Sequence, residues 1–149
     1  MLTAKDIMTT KVTAVLEETT IEELARVFVE TNLSAMPVVD EEMHLRGFIS
    51  ESDLVAQNKP LHVPKVISLF DWVLYLESEK NFREEVERIT AQTVGEICVR
   101  DVVSCKTDTP LPQIAELMSD KQVNLLPVLE GDKVVGVVSR LDVVRSMAG

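Results

Sequence analysis

The stretch SAMPVVDEEMHLRGFISESDLV, from Ser34 to Val55, returns as NLLPVLEGDKVVGVVSRLDVV from Asn124 to Val144. A chain that repeats itself over such a span is built from two copies of one unit. Asp6 aligns with Glu96 and Pro37 with Pro127, both at an offset of 90, whereas Gly47 aligns with Gly136 at 89, so the second copy is one turn residue shorter.

Each copy carries the same local signals. Ile21, Leu24, Ala25 and Phe28, like Leu111, Ile114, Ala115 and Met118, fall at i, i+3, i+4 and i+7, the apolar stripe of an amphipathic helix. Thr20 followed by Glu23 forms a capping box, and Thr109 before Pro110 places a cap residue ahead of a first-turn proline. Two β-rich runs follow each helix: Pro37 to Val39 with Leu45 to Ser50, and Pro127 to Leu129 with Val134 to Ser139. Each pair reads as a hairpin. The second turns through Glu130, Gly131, Asp132 and Lys133, where glycine supplies the positive φ of a tight turn. A further helix closes each copy. The expected architecture is α/β (α+β): two units of β-α-β-β-α type, residues 1–56 and 94–149, related by a pseudo-two-fold, with a helical insert over 57–93. A unit of roughly fifty residues is marginal alone, so the two should pack on one another.

The insert opens with NKPLHVPK, whose Pro60 and Pro64 stop any helix continuing from the first unit. Val66, Leu69, Phe70 and Val73 make one helical face, but Ile67, Trp72, Leu74 and Leu76 leave that helix apolar nearly all round, so it must be covered. A second helix with Phe82, Val86 and Ile89 on one side and a Glu84 to Arg88 pair on the other follows it. Two readings stand: a helical hairpin closing the core of its own module, or a dimer contact using Trp72 and Tyr75.

The chemical clue is Gly-x-x-Ser-x-x-Asp at the end of each hairpin: Gly47, Ser50 and Asp53, then Gly136, Ser139 and Asp142. Ser-x-x-Asp at a helix start is itself a capping box. The same geometry suits a ligand, because helix N-termini offer unpaired N–H groups to phosphate and a nearby carboxylate can accept from paired ribose hydroxyls. The two roles are compatible.

These motifs, SAMPVVD with GFISESDL and NLLPVLE with GVVSRLDV, resemble the CBS domain family, in which two copies form a Bateman module. The resemblance covers most of the chain outside the insert. It implies a regulatory module that binds AMP, ADP, ATP or S-adenosylmethionine between the two domains, with no obligatory cofactor. By position it nominates Asp53 and Asp142 for ribose, and Ser50 and Ser139 for phosphate. It also points to Thr13, Ala35, Met36 and Pro37, and to Val103, Leu125, Leu126 and Pro127, for the adenine pocket, although ordinary core packing needs the same side chains. Arg140 follows Ser139 where Glu51 follows Ser50, so the second half-site should favour phosphorylated ligands, while the first is either empty or takes a ligand with less negative charge, such as an adenosyl sulfonium. The resemblance further implies a homodimer, and an effector reached in trans because the chain ends at Gly149.

Other classes fare worse. A net charge of −10 and a pI near 4.6 disfavour nucleic-acid and membrane-surface roles. The longest apolar run, Val66 to Leu76, is too short to cross a bilayer, and the N-terminus has no signal-peptide core. Cys98 and Cys105 form no C-x-x-C pair, which fits a reducing cytoplasm. His44 and His62 have no catalytic partner at a recognisable spacing and no Gly-rich phosphate loop appears, so no enzymatic activity is expected. Two alternatives stay open: a dimerisation module that binds no nucleotide, and divalent-metal sensing by surface carboxylates, as in CBS modules of magnesium transporters.

Overall fold

The computed structural model describes residues 1–56 and 92–148. Both readings of the insert fall on residues outside these. The elements run α1 (Ala4–Ile7), β1 (Val15–Leu16), α2 (Ile21–Thr31), β2 (Ala35–Val39), β3 (Leu45–Ser50) and α3 (Glu51–Ala56), then α4 (Val94–Ile97), β4 (Cys105–Lys106), α5 (Leu111–Asp120), β5 (Leu125–Glu130), β6 (Lys133–Ser139) and α6 (Arg140–Met147). They form two three-stranded sheets, ordered β1-β2-β3 and β4-β5-β6, in which the first two strands are parallel and the last two antiparallel. The mixed α/β class and the repeated unit are thus as expected. The short helices α1 and α4 were not.

Local chemistry explains the main elements. The apolar stripe of α2 puts Ile21, Leu24 and Phe28 inside, and the Thr20 hydroxyl accepts from the Glu23 N–H at 3.2 Å. That helix ends where Asn32 takes the left-handed conformation, φ 57°, and its N–H reaches the Phe28 carbonyl. In the second copy the expected cap is displaced. The Thr109 hydroxyl accepts from Lys106 N at 2.9 Å in the turn after β4, so α5 starts behind Pro110 without a side-chain cap. The two turns also differ. Gly131, at φ 64°, closes the β5–β6 hairpin, whereas the β2–β3 turn is organised by Asp40. Its Oδ1 accepts from the Glu42 and His44 N–H groups, both at 2.9 Å, and its Oδ2 bonds His44 Nδ1 at 2.9 Å and Arg46 Nη2 at 3.3 Å.

Partial burial opposes ionisation of Asp40, but the backbone and ring donors of His44 and the Glu42 N–H outweigh it and hold its pKa down, from 3.8 to about 2. A depressed folded-state pKa contributes stability that is complete above the unfolded value and lost as pH falls through the folded one. The β2–β3 turn should therefore loosen between about pH 4 and pH 2. Acid titration followed at the Met43 and His44 amides should show this, and Asp40→Asn should flatten it. An acid limb identical in the variant would remove Asp40 as its source.

The two cores repeat one another. One gathers Val15, Leu24, Phe28, Met36, Val38, Ile49 and Val94; the other gathers Cys105, Ile114, Met118, Leu126, Val128, Val138 and Ala4. Each residue of one set is the repeat equivalent of one in the other, at an offset of 90, or 89 for Ile49 and Val138. The first turn of each copy is exchanged: Ala4 lies in the second core and Val94 in the first. Backbone bonds hold the exchange. Ala4 N donates to Thr109 O at 2.9 Å and Lys5 N to Thr107 O at 3.0 Å; reciprocally, Val94 N donates to Thr19 O and Gly95 N to Glu17 O, both at 2.8 Å. Thr9 and Val137 bond each other twice, at 2.8 and 3.0 Å, as Val99 and Phe48 do at 2.9 Å each way. Arg100 adds a tie, with bonds to the Arg46 and Gly95 carbonyls and to Glu17 Oε2. The hairpin tips also meet, Leu45 N donating to Asp132 O and Val134 N to Met43 O.

Among the described residues no helix is long and apolar enough to cross a membrane. Burial raises the Cys98 thiol pKa, and pushes that of Cys105 up to about 11. A raised pKa keeps both thiols protonated near neutral pH, which disfavours nucleophilic chemistry.

Candidate ligand cleft

Because the segment after α4 lies against β3 of the other copy, a cleft of about 380 Å³ opens between the units. The first unit contributes Ser34, Ala35, Phe48 and the run Ser50 to Asp53; the second contributes Val99, Asp101 to Val103, and Gln122 to Leu125. Five of the residues nominated from sequence come together here: Ala35, Ser50, Asp53, Val103 and Leu125.

The Ser50–Asp53 pair is both cap and wall. Ser50 N and Ser50 Oγ donate to Asp53 Oδ2 at 2.9 and 3.0 Å, and Asp53 N approaches Ser50 Oγ at 3.4 Å. Among the described residues no donor reaches Asp53 Oδ1, and the side chain is only half-buried. That oxygen can accept from a ligand hydroxyl.

The matching pair in the second copy is more committed. Ser139 N donates to Asp142 Oδ2 at 2.9 Å and Asp142 N to Ser139 Oγ at 3.1 Å, while Thr9 Oγ1 and Arg145 Nη1 approach the same carboxylate at 3.4 and 3.5 Å. Asp142 is 8% exposed. Neither Ser139, Arg140 nor Asp142 lines the cleft described above. Met36, Pro37, Leu126 and Pro127 are fully buried, one residue or two inward from Ala35 and Leu125. Thr13 is half-buried ahead of β1. Strand alternation separates these groups: Ala35 and Leu125 turn to the cleft while Met36 and Leu126 turn to the core.

Several wall residues went unnoticed in the sequence. Val99 and Asp101 follow an unforeseen helical turn, and Gln122 to Asn124 lie in the loop entering β5. Aligning the copies places Val99 opposite Thr9 and Asp101 opposite Lys11, but only the crossing of α4 to the other unit shows what they face. Among the described residues the cleft's charged wall residues are Glu51, Asp53 and Asp101, with no lysine or arginine. The nearby Arg100 is spent on Glu17 and two carbonyls.

A model of the CBS domain matches the chain twice, over residues 4–58 and 94–149. The chain is 28% identical to MJ1426, an uncharacterised protein of Methanocaldococcus jannaschii, across 96% of this chain and 89% of that one. Other curated relatives are longer, and the chain spans as little as 23% of one of them. Among solved structures, CBSX2 of Arabidopsis thaliana in complex with AMP is similar at a TM-score of 0.76, with 21% identity and 99% and 97% of the two chains covered. The CBS domain pair of MJ0100, in complex with 5′-methylthioadenosine and S-adenosyl-L-methionine, is similar at 0.70, with 23% identity and 100% and 98% covered. With both copies matched and the pair architecture shared, the chain belongs to the CBS domain family as a tandem pair.

Proposed function

We propose that this chain is a regulatory module that binds an adenosine-containing ligand, AMP, ADP, ATP or S-adenosylmethionine, in the cleft between its two CBS domains. One observation carries the reading: the cleft is walled by both units, and its lining combines the half-buried Asp53 carboxylate with apolar Ala35, Val103 and Leu125. Apolar walls suit a purine, and a carboxylate with a free oxygen suits ribose hydroxyls. The AMP complex of CBSX2 and the methylthioadenosine and S-adenosylmethionine complex of MJ0100 support the same ligand class.

A ligand touching both walls binds one relative placement of the units better than another, and that difference in affinity is what shifts a population. The module passes its occupancy to an effector in trans, as a homodimer in the cytoplasm, without catalysing a reaction of its own. Calorimetric titration with the four ligands tests the reading. Micromolar binding by at least one is expected, and Asp53→Ala should weaken it about 10- to 100-fold, the worth of one or two hydrogen bonds to a charged acceptor. Full affinity in a folded Asp53→Ala protein would take the ligand out of this cleft.

A further inference from the structure

At two positions that line the cleft together with Asp53, the internal repeat sets residues of opposite charge in its two copies. Glu51 and Asp101 line the same cleft as Asp53. Their repeat equivalents are Arg140, at an offset of 89, and Lys11, at 90. The equivalence is structural as well as sequential. Val99 pairs with Phe48 through two backbone bonds and Thr9 with Val137 through two more, so Asp101 and Lys11 each stand two residues beyond the same bridge. Glu51 and Arg140 each open the helix that follows the last strand of their sheet. All four side chains are exposed.

Within the cleft Asp53 already has its Oδ2 committed to Ser50, leaving Glu51 and Asp101 as its uncommitted charges. No described cation offsets them, because Arg100 is held by Glu17 and the Arg46 and Gly95 carbonyls, and Arg46 turns to Asp40 and Glu17. A phosphate entering here meets like charge, whereas a sulfonium or ammonium tail meets its complement. We infer that Asp101, with Glu51, makes the Asp53 cleft selective for an adenosyl ligand that carries a positive charge and no phosphate. The second copy carries the opposite charge, Lys11 and Arg140, at the equivalent positions.

This rests on the adenosyl reading proposed above, so the test separates the two. Wild-type protein and Asp101→Lys are titrated calorimetrically with adenosine, S-adenosylmethionine and AMP, and Asp53→Ala identifies the heat that belongs to this cleft. Asp101 is exposed and its side chain makes no hydrogen bond or ion pair among the described residues, so the variant should fold as the parent does. In the wild type, S-adenosylmethionine should bind the Asp53-dependent site at least about tenfold more tightly than AMP, and Asp101→Lys should reverse that order. The gap should narrow as salt is raised, as expected of exposed charges. If adenosine binds but the S-adenosylmethionine to AMP ratio is the same in both proteins, the charge rule is overturned while the adenosyl site stands. If adenosine and both charged ligands are silent, the adenosyl site falls and the charge rule with it.

Discussion

Replacing Val94 with aspartate is expected to destabilise the first unit, although Val94 opens the second repeat. Val94 is fully buried among Val15, Leu24, Phe28, Met36, Val38 and Ile49. Its backbone is anchored to Thr19 O at 2.8 Å, so the side chain cannot swing out without breaking the tie that brings α4 across. A lone carboxylate in that setting either stays ionised without a partner or takes up a proton, and both cost free energy. A loss of about 3–5 kcal/mol is the scale for an uncompensated buried charge, a large share of the stability of a domain this size. Hydrogen exchange separates this prediction from a general unfolding: amides of β2 and β3, residues 35–50, should lose protection before those of β5 and β6. Ala4→Asp should do the reverse, because Ala4 is fully buried against Cys105, Ile114, Leu126 and Val138. Early loss in β5 and β6 from Val94→Asp would mean that each leading segment packs within its own repeat.

The second large effect is expected at Gly47. A Cβ there would lie 2.7 Å from Cys98 Sγ and 2.9 Å from Val99 O. The sulfur can retreat a little, but the carbonyl belongs to the two-bond bridge between Val99 and Phe48 and cannot move without disturbing it. Gly47→Val should therefore cost about 1–3 kcal/mol, the range for forcing extra methyl groups into a packed site, lowering the melting temperature by about 2–4 °C per kcal/mol. Cys98→Ala in the same chain should recover only part of that loss, because the clash with Val99 O remains. Since Val99 and Phe48 both line the cleft, the substitution should also weaken adenosyl ligands, whereas Gly131→Ala, in open space at the hairpin tip, should cost stability alone. Unchanged ligand affinity in Gly47→Val would show that the bridge does not set the cleft's width.

Much of this protein is written in short-range pattern. The offset of 90 announces two copies, the i, i+3, i+4, i+7 stripes place α2 and α5, and Glu130 to Lys133 announce a turn that Gly131 closes at positive φ. The Ser-x-x-Asp pairs at Ser50 and Ser139 form the capping contacts that their spacing implies. These features depend on residues a few positions apart, and side-chain period, caps and turn chemistry act over that range.

What lay beyond such reading depends on distant partners. A helix of four residues has no stability of its own, so the Thr3 to Asp6 capping box at the start of α1 does not by itself make a helix; α1 and α4 are held because Ala4 and Val94 fill the cores of the opposite units. Thr109 has the composition of a helix cap, but the Lys106 N–H in the preceding turn takes its hydroxyl. Ala35 and Met36 differ little as apolar candidates, yet the sheet turns one toward the cleft and the other into the core. Asp101 carries no motif at all and acquires a place only when α4 crosses over and sets it in the cleft that Asp53 also lines. Sequence alone determined the units, because their elements are built from neighbours; tertiary structure decided the cleft, because its walls are joined by burial and backbone pairing between segments some fifty residues or more apart.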